Sequence, residues 1–351
     1  MKILVVGDAY MPPHYFRNAF AELETAHRVE YIEVDGSRPF TPRTASELRL
    51  HEFFGTPGEL VPHMSDVEVL VVHGAPVTEE VLDASARLRL VCCARGGPVN
   101  VDAEAVSMRG LPLANTPGKN AEAVADLTLA FVVMLARGLP AAQRFLDDGN
   151  QLKDNWEGAR FIGSDLRRHT LGLVGYGQVG TRVAARALPF GVRVLAYDPY
   201  VAVDPRDGVE QVASLDDLLA RSDFVSLHAR ATSENANLFD VAAFAKMKRG
   251  SFLVNTARET LVDEEALDAA LTSGHVAGAA LDVVRPSEPG RHRLLRHANV
   301  VLTPHLGGAT HETLLQGAEM VAAEILRFGA GEPLVHVADG GASHTAILRS
   351  G

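Results

Sequence analysis

The middle of this 351-residue chain carries Leu171-Gly172-Leu173-Val174 followed directly by Gly175-Tyr176-Gly177-Gln178-Val179-Gly180. The first four residues predict a short buried strand, and Thr181–Leu188 after the glycines favours a helix. A second apolar run, Val192–Tyr197, predicts another strand and ends in Asp198. Strand, G-x-G-x-x-G, helix, strand and acid, in this order, form the arrangement that binds a dinucleotide.

Each part of this fingerprint has a physical task. Gly175 permits the tight turn, Gly177 lets the backbone approach a pyrophosphate, and Gly180 allows close packing of helix on strand. The helix N-terminus presents free N–H groups and a partial positive charge to the pyrophosphate. Asp198 can accept hydrogen bonds from ribose hydroxyls and repels a 2′-phosphate, so the sequence favours NAD over NADP.

Length and composition narrow the class of protein. The chain is long enough for two domains, and 47% hydrophobic with 22% charged residues is an ordinary globular balance. A net charge of −11 argues against nucleic acid or an anionic membrane as the main partner. The apolar stretch Leu127–Leu135 is too short to span a bilayer.

The two cysteines, Cys92 and Cys93, are adjacent, which predicts no disulfide framework, no metal site and a reducing, cytoplasmic location.

Strand-like and helix-like segments alternate in two sets, which predicts two doubly wound parallel sheets. The strands predicted for the first set are Lys2–Val6, Val29–Val34, Val67–Val72, Leu88–Ala94 and Leu111–Ala114. Those predicted for the second are Leu171–Val174, Val192–Tyr197, Phe224–Leu227, Phe252–Asn255, Val276–Leu281 and Val300–Thr303. Helix-like runs cover Tyr15–Thr25, Val101–Met108, Asn120 to about Asp147, and Glu312–Phe328. We expect the tail after Asp339 to be disordered, because it has little to bury.

Polar side chains follow five strands of the second set. Ligands of open α/β sheets bind outside the carboxyl ends of the strands, so these positions are candidates for the site. They are Asp198, His228, Arg258, Asp282 and His305.

Three residues in this part of the chain suit hydride transfer. His305 can exchange a proton near neutral pH, which the oxygen of a reduced carbonyl requires. Glu288 can orient that imidazole and raise its pKa, and Arg258 offers a planar fork to a substrate carboxylate. Each residue alone is typical of a loop, but their joint position downstream of the fingerprint predicts a site for 2-oxo and 2-hydroxy acids. His228 is more typical of a structural role.

Several motifs in order resemble the D-isomer-specific 2-hydroxyacid dehydrogenase family, which includes phosphoglycerate dehydrogenase and glyoxylate/hydroxypyruvate reductase. The resemblance covers roughly Leu88 to Val337. It is strongest over Asn115–Val124, Leu171–Gly180, Val254–Asp263, Ala277–Pro289 and Leu302–Thr310.

The resemblance implies an α/β fold in which a Rossmann NAD-binding domain, residues 119–309, is inserted into a flavodoxin-like substrate domain, residues 1–118 and 310–351. It implies that Arg258 binds substrate, that Glu288 is the acid partner and that His305 is the proton donor and acceptor. It further implies a homodimer formed through the NAD-binding domain. The cofactor contacts that the fingerprint and the resemblance predict together are Gly175, Gly177, Gln178, Val179, Gly180, Asp198, Thr256, Ala257 and Asp282.

The chain departs from the family pattern in three places. The glycine-rich substrate loop, Arg95–Asp102, is two residues shorter than usual, although the N–H groups of Gly96 and Gly97 still suit a substrate carboxylate. The spacing from Asp282 to Glu288 is one residue longer, and we keep Glu288 because it precedes proline and carries the charge. Arg258 is followed by Glu259 where the family commonly has glycine.

The sequence therefore predicts a cytoplasmic, NAD-dependent dehydrogenase of a small D-2-hydroxy acid, with no metal, nucleic-acid or membrane partner. The alternative is a non-enzymatic NAD(H)-sensing protein of the same fold, similar to the family's transcriptional corepressors. Hydroxypyruvate, glyoxylate, a phosphorylated sugar acid and a longer aldonic acid all stay open as substrates.

Overall fold

The chain is described by a computed structural model over residues 1–38, 40–150, 157–285 and 292–338. Two units divide it: Met1–Lys119 with Thr310–Gly351, and Asn120–Ala309. The second unit is thus inserted in sequence between the two parts of the first. Glu288 and the tail after Asp339 lie outside the described residues.

Among the described residues, the sheet of the first unit has five parallel strands in the order β2-β1-β3-β4-β5. Side chains alternate across this sheet, so Ile3 and Val5 belong to a different core from Leu4 and Val6. Two apolar faces are typical of a doubly wound sheet with helices on both sides. The strands are β1 (Lys2–Gly7), β2 (Arg28–Glu33), β3 (Val69–Val72), β4 (Leu90–Cys93) and β5 (Leu113–Ala114).

The sheet of the second unit, as far as the structure describes that unit, has seven parallel strands in the order β12-β11-β10-β9-β6-β7-β8, again with a core on each face. Two parallel α/β sheets are what the sequence predicts, and this prediction is confirmed. The strands are β6 (Thr170–Val174), β7 (Arg193–Tyr197), β8 (Glu210–Gln211), β9 (Phe224–Leu227), β10 (Ser251–Asn255), β11 (Val276–Leu281) and β12 (Val300–Leu302).

Helices cover the faces of both sheets. In the first unit, the long C-terminal helix α13 packs beside α1 on the face that contains Ile3 and Val5. The helices are α1 (Pro13–Ala19), α2 (Ala21–Ala26), α3 (Ala45–Leu48), α4 (Pro57–Leu60), α5 (Glu79–Asp83), α6 (Ala103–Met108), α7 (Ala121–Ala136), α8 (Leu139–Asp147), α9 (Gln178–Ala187), α10 (Leu215–Arg221), α11 (Val241–Lys246), α12 (Glu264–Thr272) and α13 (His311–Ala330).

The run predicted as one helix from Asn120 to about Asp147 is two helices, so that prediction is wrong. Gly138 separates α7 from α8 and adopts φ +61°, a left-handed conformation that ends a helix and favours glycine. The two helices are bent by 70°. In the described ranges no single helix is long and apolar enough to cross a membrane; only this bent pair, taken together, has the required length and composition.

Two further helix boundaries differ from prediction. The run Tyr15–Thr25 is divided into α1 and α2 at Phe20, whose backbone leaves helical geometry (φ −97°, ψ 8°). The helix of the fingerprint begins at Gln178, not Thr181, so Gly180 lies within its first turn. This earlier start brings the N–H groups of the first turn next to the glycine loop.

Candidate functional site

The carboxyl ends of the second unit's strands bring most of the predicted residues to one edge of the sheet. The chain runs from β6 to β7 on one side and returns to β9 on the other, so the sheet has its switch point between β6 and β9. Ligands of doubly wound sheets bind at this point. The loops after β10, β11 and β12 follow in spatial order, and those after β10 and β12 start about 10 Å apart, two strand spacings.

The glycine loop after β6 has the geometry that a pyrophosphate requires. Gly175 has φ +99°, and a Cβ there would lie 2.7 Å from the backbone nitrogen of Ala229. A Cβ at Gly180 would lie 2.3 Å from the carbonyl oxygen of Gly175. At Gly177, by contrast, a Cβ would meet nothing within 4 Å, and no side chain caps the N-terminus of α9. The open space and the uncapped N–H groups, which include those of Gln178 and Val179, fit a bound phosphate group.

Asp198, at the end of β7, is fixed by backbone hydrogen bonds. Its Oδ2 accepts from the N–H of Tyr176 (2.8 Å), and its Oδ1 accepts from the N–H groups of Tyr200 (2.8 Å) and Val201 (3.0 Å). A carboxylate accepts about four hydrogen bonds, so one position is open to a ribose hydroxyl in this arrangement. Asp198 also borders a cavity of about 400 Å³. The cavity is lined by Tyr197, Asp198, Pro199, Gln211, Val212 and Ala213, and its position beside the fingerprint suits the adenosine part of NAD.

Tyr176 joins the glycine loop to the segment that follows Asp198. Its side chain is buried, and its hydroxyl donates to Oδ2 of Asp207 at 3.0 Å. Burial and the Asp207 carboxylate raise the pKa of Tyr176, so the hydroxyl stays protonated and keeps donating. No sequence signal predicts this contact, because the motif does not constrain the residue between the first two glycines.

The turn after β10 contains Arg258 and is stabilised by hydrogen bonds to the side chain of Asn255. The buried Asn255 side chain accepts from the N–H of Ala257 (3.0 Å) and donates to the carbonyl oxygen of Arg258 (2.9 Å). The Arg258 side chain is exposed, with Nη1 donating to the carbonyl of Ala257 at 2.7 Å. Most of its guanidinium is therefore available to a ligand.

Thr256, within the same turn, is tied to α7. Its hydroxyl lies 2.9 Å from that of Thr128, which donates onward to the carbonyl oxygen of Val124. Since the Thr128 hydroxyl donates its proton to Val124, Thr256 is the donor to Thr128. Sequence reasoning missed Asn255 and Thr128, because Asn255 lies within a strand, Thr128 lies within a helix, and neither carries a charge.

His305 is held in a strained loop by Asp282. His305 is exposed and has φ +60°, a conformation that costs a non-glycine residue on the order of 1 kcal/mol or more. Its N–H donates to the carbonyl oxygen of Asp282 at 3.0 Å. The buried Asp282 carboxylate accepts from the Thr303 hydroxyl (2.6 Å) and from the N–H groups of Leu306 (2.7 Å) and Gly307 (2.7 Å). Asp282 thus forms hydrogen bonds to the loop after β12 on both sides of His305.

His228, after β9, is neutral at physiological pH. Desolvation lowers its pKa to about 3, and its Nε2 lies 2.9 Å from the hydroxyl of Ser226. Its backbone packs against Gly175, since a Cβ on that glycine would be 2.7 Å from the His228 carbonyl carbon. These contacts agree with the structural role that the sequence favours for His228.

The segment that contains Glu288 is outside the described residues. The described residues next to it are Arg285 and His292, and Glu264 contacts both. Oε1 of Glu264 accepts from the N–H of Arg285 at 2.7 Å, and Oε2 lies 3.4 Å from Nε2 of His292. Glu264 is itself buried, at the start of α12. It therefore anchors both flanks of the predicted acid partner.

Gly96 and Gly97 belong to the first unit, where they form an exposed loop after β4. The side-chain amide of Asn115 donates to the carbonyl oxygen of Gly96 at 2.8 Å, and the N–H of Thr116 donates to that of Arg95 at 2.9 Å. These bonds fix the loop while leaving its glycines accessible. In the part of the chain that the structure describes, no group of three or more His, Cys, Asp or Glu side chains could hold a metal ion.

Residues 129–307 match the family model of the D-isomer specific 2-hydroxyacid dehydrogenase NAD binding domain. The chain belongs to the D-isomer-specific 2-hydroxyacid dehydrogenase family. The resemblance and the NAD cofactor that the sequence predicts are therefore confirmed, and the second unit carries the NAD-binding domain of the family.

Curated relatives of this dehydrogenase-family chain include two named D-3-phosphoglycerate dehydrogenase. The Mycobacterium tuberculosis protein is 40% identical over 277 residues, which are 78% of this chain and 51% of the relative. The human protein is 36% identical over 292 residues, 82% of this chain and 54% of the relative. This chain thus spans about half the length of the curated relatives that it matches.

Solved structures of similar length match nearly the whole chain. The TT0316 protein of Thermus thermophilus is 33% identical with a TM-score of 0.76, covering 96% of this chain and 99% of that one. D-2-hydroxyisocaproate dehydrogenase is 25% identical with a TM-score of 0.81, and the match covers 97% of this chain and 100% of that one. These similarities extend the family fold to both units.

Proposed function

We propose that this chain is an NAD-dependent oxidoreductase that interconverts a D-2-hydroxy acid and the corresponding 2-oxo acid. The observation that carries the proposal is that the exposed Arg258 and His305 stand at the carboxyl ends of β10 and β12, on the same sheet edge as the dinucleotide fingerprint. Both lie on loops fixed by buried hydrogen-bonding side chains, Asn255 and Asp282. A preorganised cation and a proton donor are what carbonyl reduction next to a carboxylate requires.

In the proposed reaction, NADH when bound supplies a hydride to C2 of the 2-oxo acid. The Arg258 guanidinium binds the substrate carboxylate through paired hydrogen bonds, and the N–H groups of Gly96 and Gly97 add to carboxylate binding. His305, as the imidazolium, gives its proton to the carbonyl oxygen, which becomes the hydroxyl group. Glu288 orients His305 and stabilises its charged form. In the oxidation direction His305 takes the hydroxyl proton back.

We assign cofactor binding to the fingerprint and to the strand ends beside it. The residues are Gly175, Gly177, Gln178, Val179, Gly180, Asp198, Thr256, Ala257 and Asp282. NAD is preferred to NADP because the fixed carboxylate of Asp198 opposes a 2′-phosphate on the ribose.

The domain roles, location and assembly are part of the same proposal. Residues 1–118 and 310–351 form the substrate domain and residues 119–309 the NAD-binding domain, a division supported by the two units of the fold. Two unpaired buried cysteines support a cytoplasmic location. Partly exposed apolar residues on α7, among them Leu129 and Val133, support a homodimer through the NAD-binding domain.

The proposal is tested by mixing the purified protein and NADH with a panel of 2-oxo acids and following absorbance of the reduced nicotinamide. We expect turnover of at least one acid, and we expect His305→Gln to lower kcat by about 10²–10⁴ with the dissociation constant for NADH changed less than about threefold. The control is His169→Gln, a histidine that precedes β6 at the opposite end of the strands. Tight NADH binding without turnover of any acid would support the NAD-sensing alternative and reject the enzyme.

A further inference from the structure

Helix α7 contacts both the turn after β10, which contains Arg258, and the loop after β12, which contains His305. The helix, the turn and the loop all belong to the second unit. The helix packs against β10 and β11. Asn120 at its N-terminal end, Val124 and Thr128 make the contacts with the turn and the loop. Residues at this four-residue spacing lie along one side of a helix.

Thr128 holds the turn after β10 through a hydrogen bond between two buried hydroxyl groups. The Thr128 hydroxyl donates to the carbonyl oxygen of Val124 at 2.8 Å and accepts from the Thr256 hydroxyl at 2.9 Å. Thr256 is two residues before Arg258. Asn255 binds backbone atoms of this turn, whereas Thr128 binds its buried side chain. The turn is therefore fixed both to its own strand and to α7.

The backbone of the loop after β12 lies directly against the same side of α7. A Cβ at Gly307 would lie 3.3 Å from Cγ2 of Val124. A Cβ at Gly308 would lie 3.1 Å from Nδ2 and 3.3 Å from Cβ of Asn120. Both glycines follow His305 within three residues. The lack of a side chain at these two positions thus lets the loop approach the helix closely.

The side of α7 that contacts the turn and the loop continues into the hydrophobic core. Phe131 and Leu135, which lie two helical turns after Val124 and Thr128, are buried in the cluster that contains Leu173 of β6. A close-packed core resists displacement, because moving the helix would open cavities in it. The helix is therefore a fixed support, and it contacts both the turn and the loop.

We propose that α7 holds the cation and the proton donor of the site in a fixed relation to each other. Thr128 is a positioning residue that acts on Arg258 through Thr256. Asn120 is a positioning residue that acts on the loop of His305. This inference rests on the proposed function and deepens it, since carboxylate binding and proton transfer to the carbonyl oxygen of one small acid depend on the relative placement of the two groups.

Thr128→Val removes the hydroxyl and keeps the shape of the side chain. The assay uses whichever of pyruvate, glyoxylate and hydroxypyruvate the full-length protein reduces fastest, with saturating NADH so that cofactor affinity does not enter the comparison. We expect KM for the acid to rise about three- to tenfold, the effect of one lost hydrogen bond, and kcat to change less than about twofold. Thr128→Ala should raise KM similarly, and Thr128→Ser, which restores the hydroxyl, should keep KM within about twofold of the wild-type value.

The matched control is Ser222→Ala, which should leave KM within about twofold. The buried Ser222 hydroxyl also donates to a carbonyl oxygen four residues earlier, that of Leu218, but it precedes β9 at the opposite end of the strands. A double-mutant cycle with Arg258→Lys tests the route of the effect. In that background Thr128→Val should raise KM less than about twofold, because the guanidinium that Thr128 positions is gone. Additive effects in the cycle, or an unchanged KM in Thr128→Val alone, would overturn the inference and leave the dehydrogenase intact.

Gly308→Ala tests the contact of the loop with α7. The added methyl group would meet Asn120, so we expect kcat to fall about tenfold or more as His305 is displaced. Asn120→Gly in the same chain removes the side chain that the methyl group meets, and it should raise kcat at least about threefold above that of Gly308→Ala. Absence of this recovery would show that the loop does not depend on α7 and would overturn the inference. Absence of turnover of every 2-oxo acid by the wild-type protein instead rejects the proposed function, and the inference with it.

Discussion

Asp282 shows how one buried side chain can determine the geometry of a site through its neighbours. Its carboxylate and carbonyl oxygens together accept four hydrogen bonds from the segment 303–307, and they compensate the left-handed backbone of His305. The family resemblance predicts a cofactor contact for Asp282. The contacts within the chain add a second role, that of positioning His305.

Asp282→Asn separates these two roles. The amide nitrogen of the asparagine cannot accept a hydrogen bond. It would therefore face the backbone N–H of either Leu306 or Gly307, donor against donor, and that hydrogen bond would be lost. We expect kcat to fall about 10- to 100-fold, the effect of losing a charge-assisted hydrogen bond, and the dissociation constant for NADH to rise by a smaller factor, because Asp282 is also assigned to cofactor binding. Steady-state kinetics and fluorescence titration with NADH measure the two quantities.

Asp198→Asn is the matched control, because Asp198 is also a strand-end carboxylate that accepts three hydrogen bonds, all from backbone N–H groups. It should weaken NADH binding and reduce the preference for NAD over NADP, with a smaller effect on kcat. If Asp282→Asn instead weakens NADH binding as strongly as it lowers kcat, Asp282 acts on the cofactor and not through His305.

At the level of elements, the NAD-binding unit combines the glycine loop after β6 with the cavity beside Asp198, and Tyr176 joins the two. Its N–H holds Asp198 after β7, and its hydroxyl holds Asp207 in the segment leading to β8. The cavity is lined from both ends of that segment, Tyr197–Pro199 and Gln211–Ala213. The tyrosine thus fixes the shape of a pocket that it does not line.

Tyr176→Phe should lengthen or break the tether without changing the fold. We expect the dissociation constant for NADH to rise about three- to tenfold, the effect of one lost hydrogen bond to a carboxylate, and kcat with saturating NADH to stay within about twofold. Tyr200→Phe is the control, since Tyr200 is 86% exposed and its side chain is not needed to hold the segment. Unchanged NADH binding in Tyr176→Phe would show that the tether does not shape the pocket.

The strands were predictable from sequence because buried parallel strands are short apolar runs, and eleven predicted runs correspond to the strands other than β8. Glu210–Gln211 was missed because this edge strand is polar and exposed on both faces. The division between α7 and α8 was missed because a single glycine ends a helix only when the backbone takes the left-handed conformation that Gly138 adopts. Hydrophobic periodicity continues across such a residue.

The strand-end positions of the candidate site were predictable from sequence, whereas contacts between residues distant in sequence were not. Arg258, Asp282 and His305 were located by that rule. Thr128 contacts Thr256 across 128 positions of sequence, and Asp8 contacts His73 across 65 positions. No local sequence pattern marks either pair. Such pairs depend on the register of the folded sheets.

At the scale of the whole molecule, the mid-chain position of the fingerprint follows from the insertion of one unit into the other. The inserted unit, Asn120–Ala309, carries the residues proposed to bind the cofactor, together with Arg258 and His305. The unit built from both ends of the chain carries the exposed loop of Gly96 and Gly97. The proposed function therefore assigns proton exchange and binding of the substrate carboxylate to residues of the inserted unit, His305 and Arg258.

The central claim, hydride transfer to C2 of a 2-oxo acid with D stereochemistry, is tested most directly with NADH deuterated at both C4 positions. The purified protein should convert its best 2-oxo acid to a product with one deuterium at C2, detected by mass spectrometry, and chiral chromatography should show the D isomer. His305→Gln should slow formation of this product by about 10²–10⁴. A product without deuterium at C2, or of L configuration, would contradict the account.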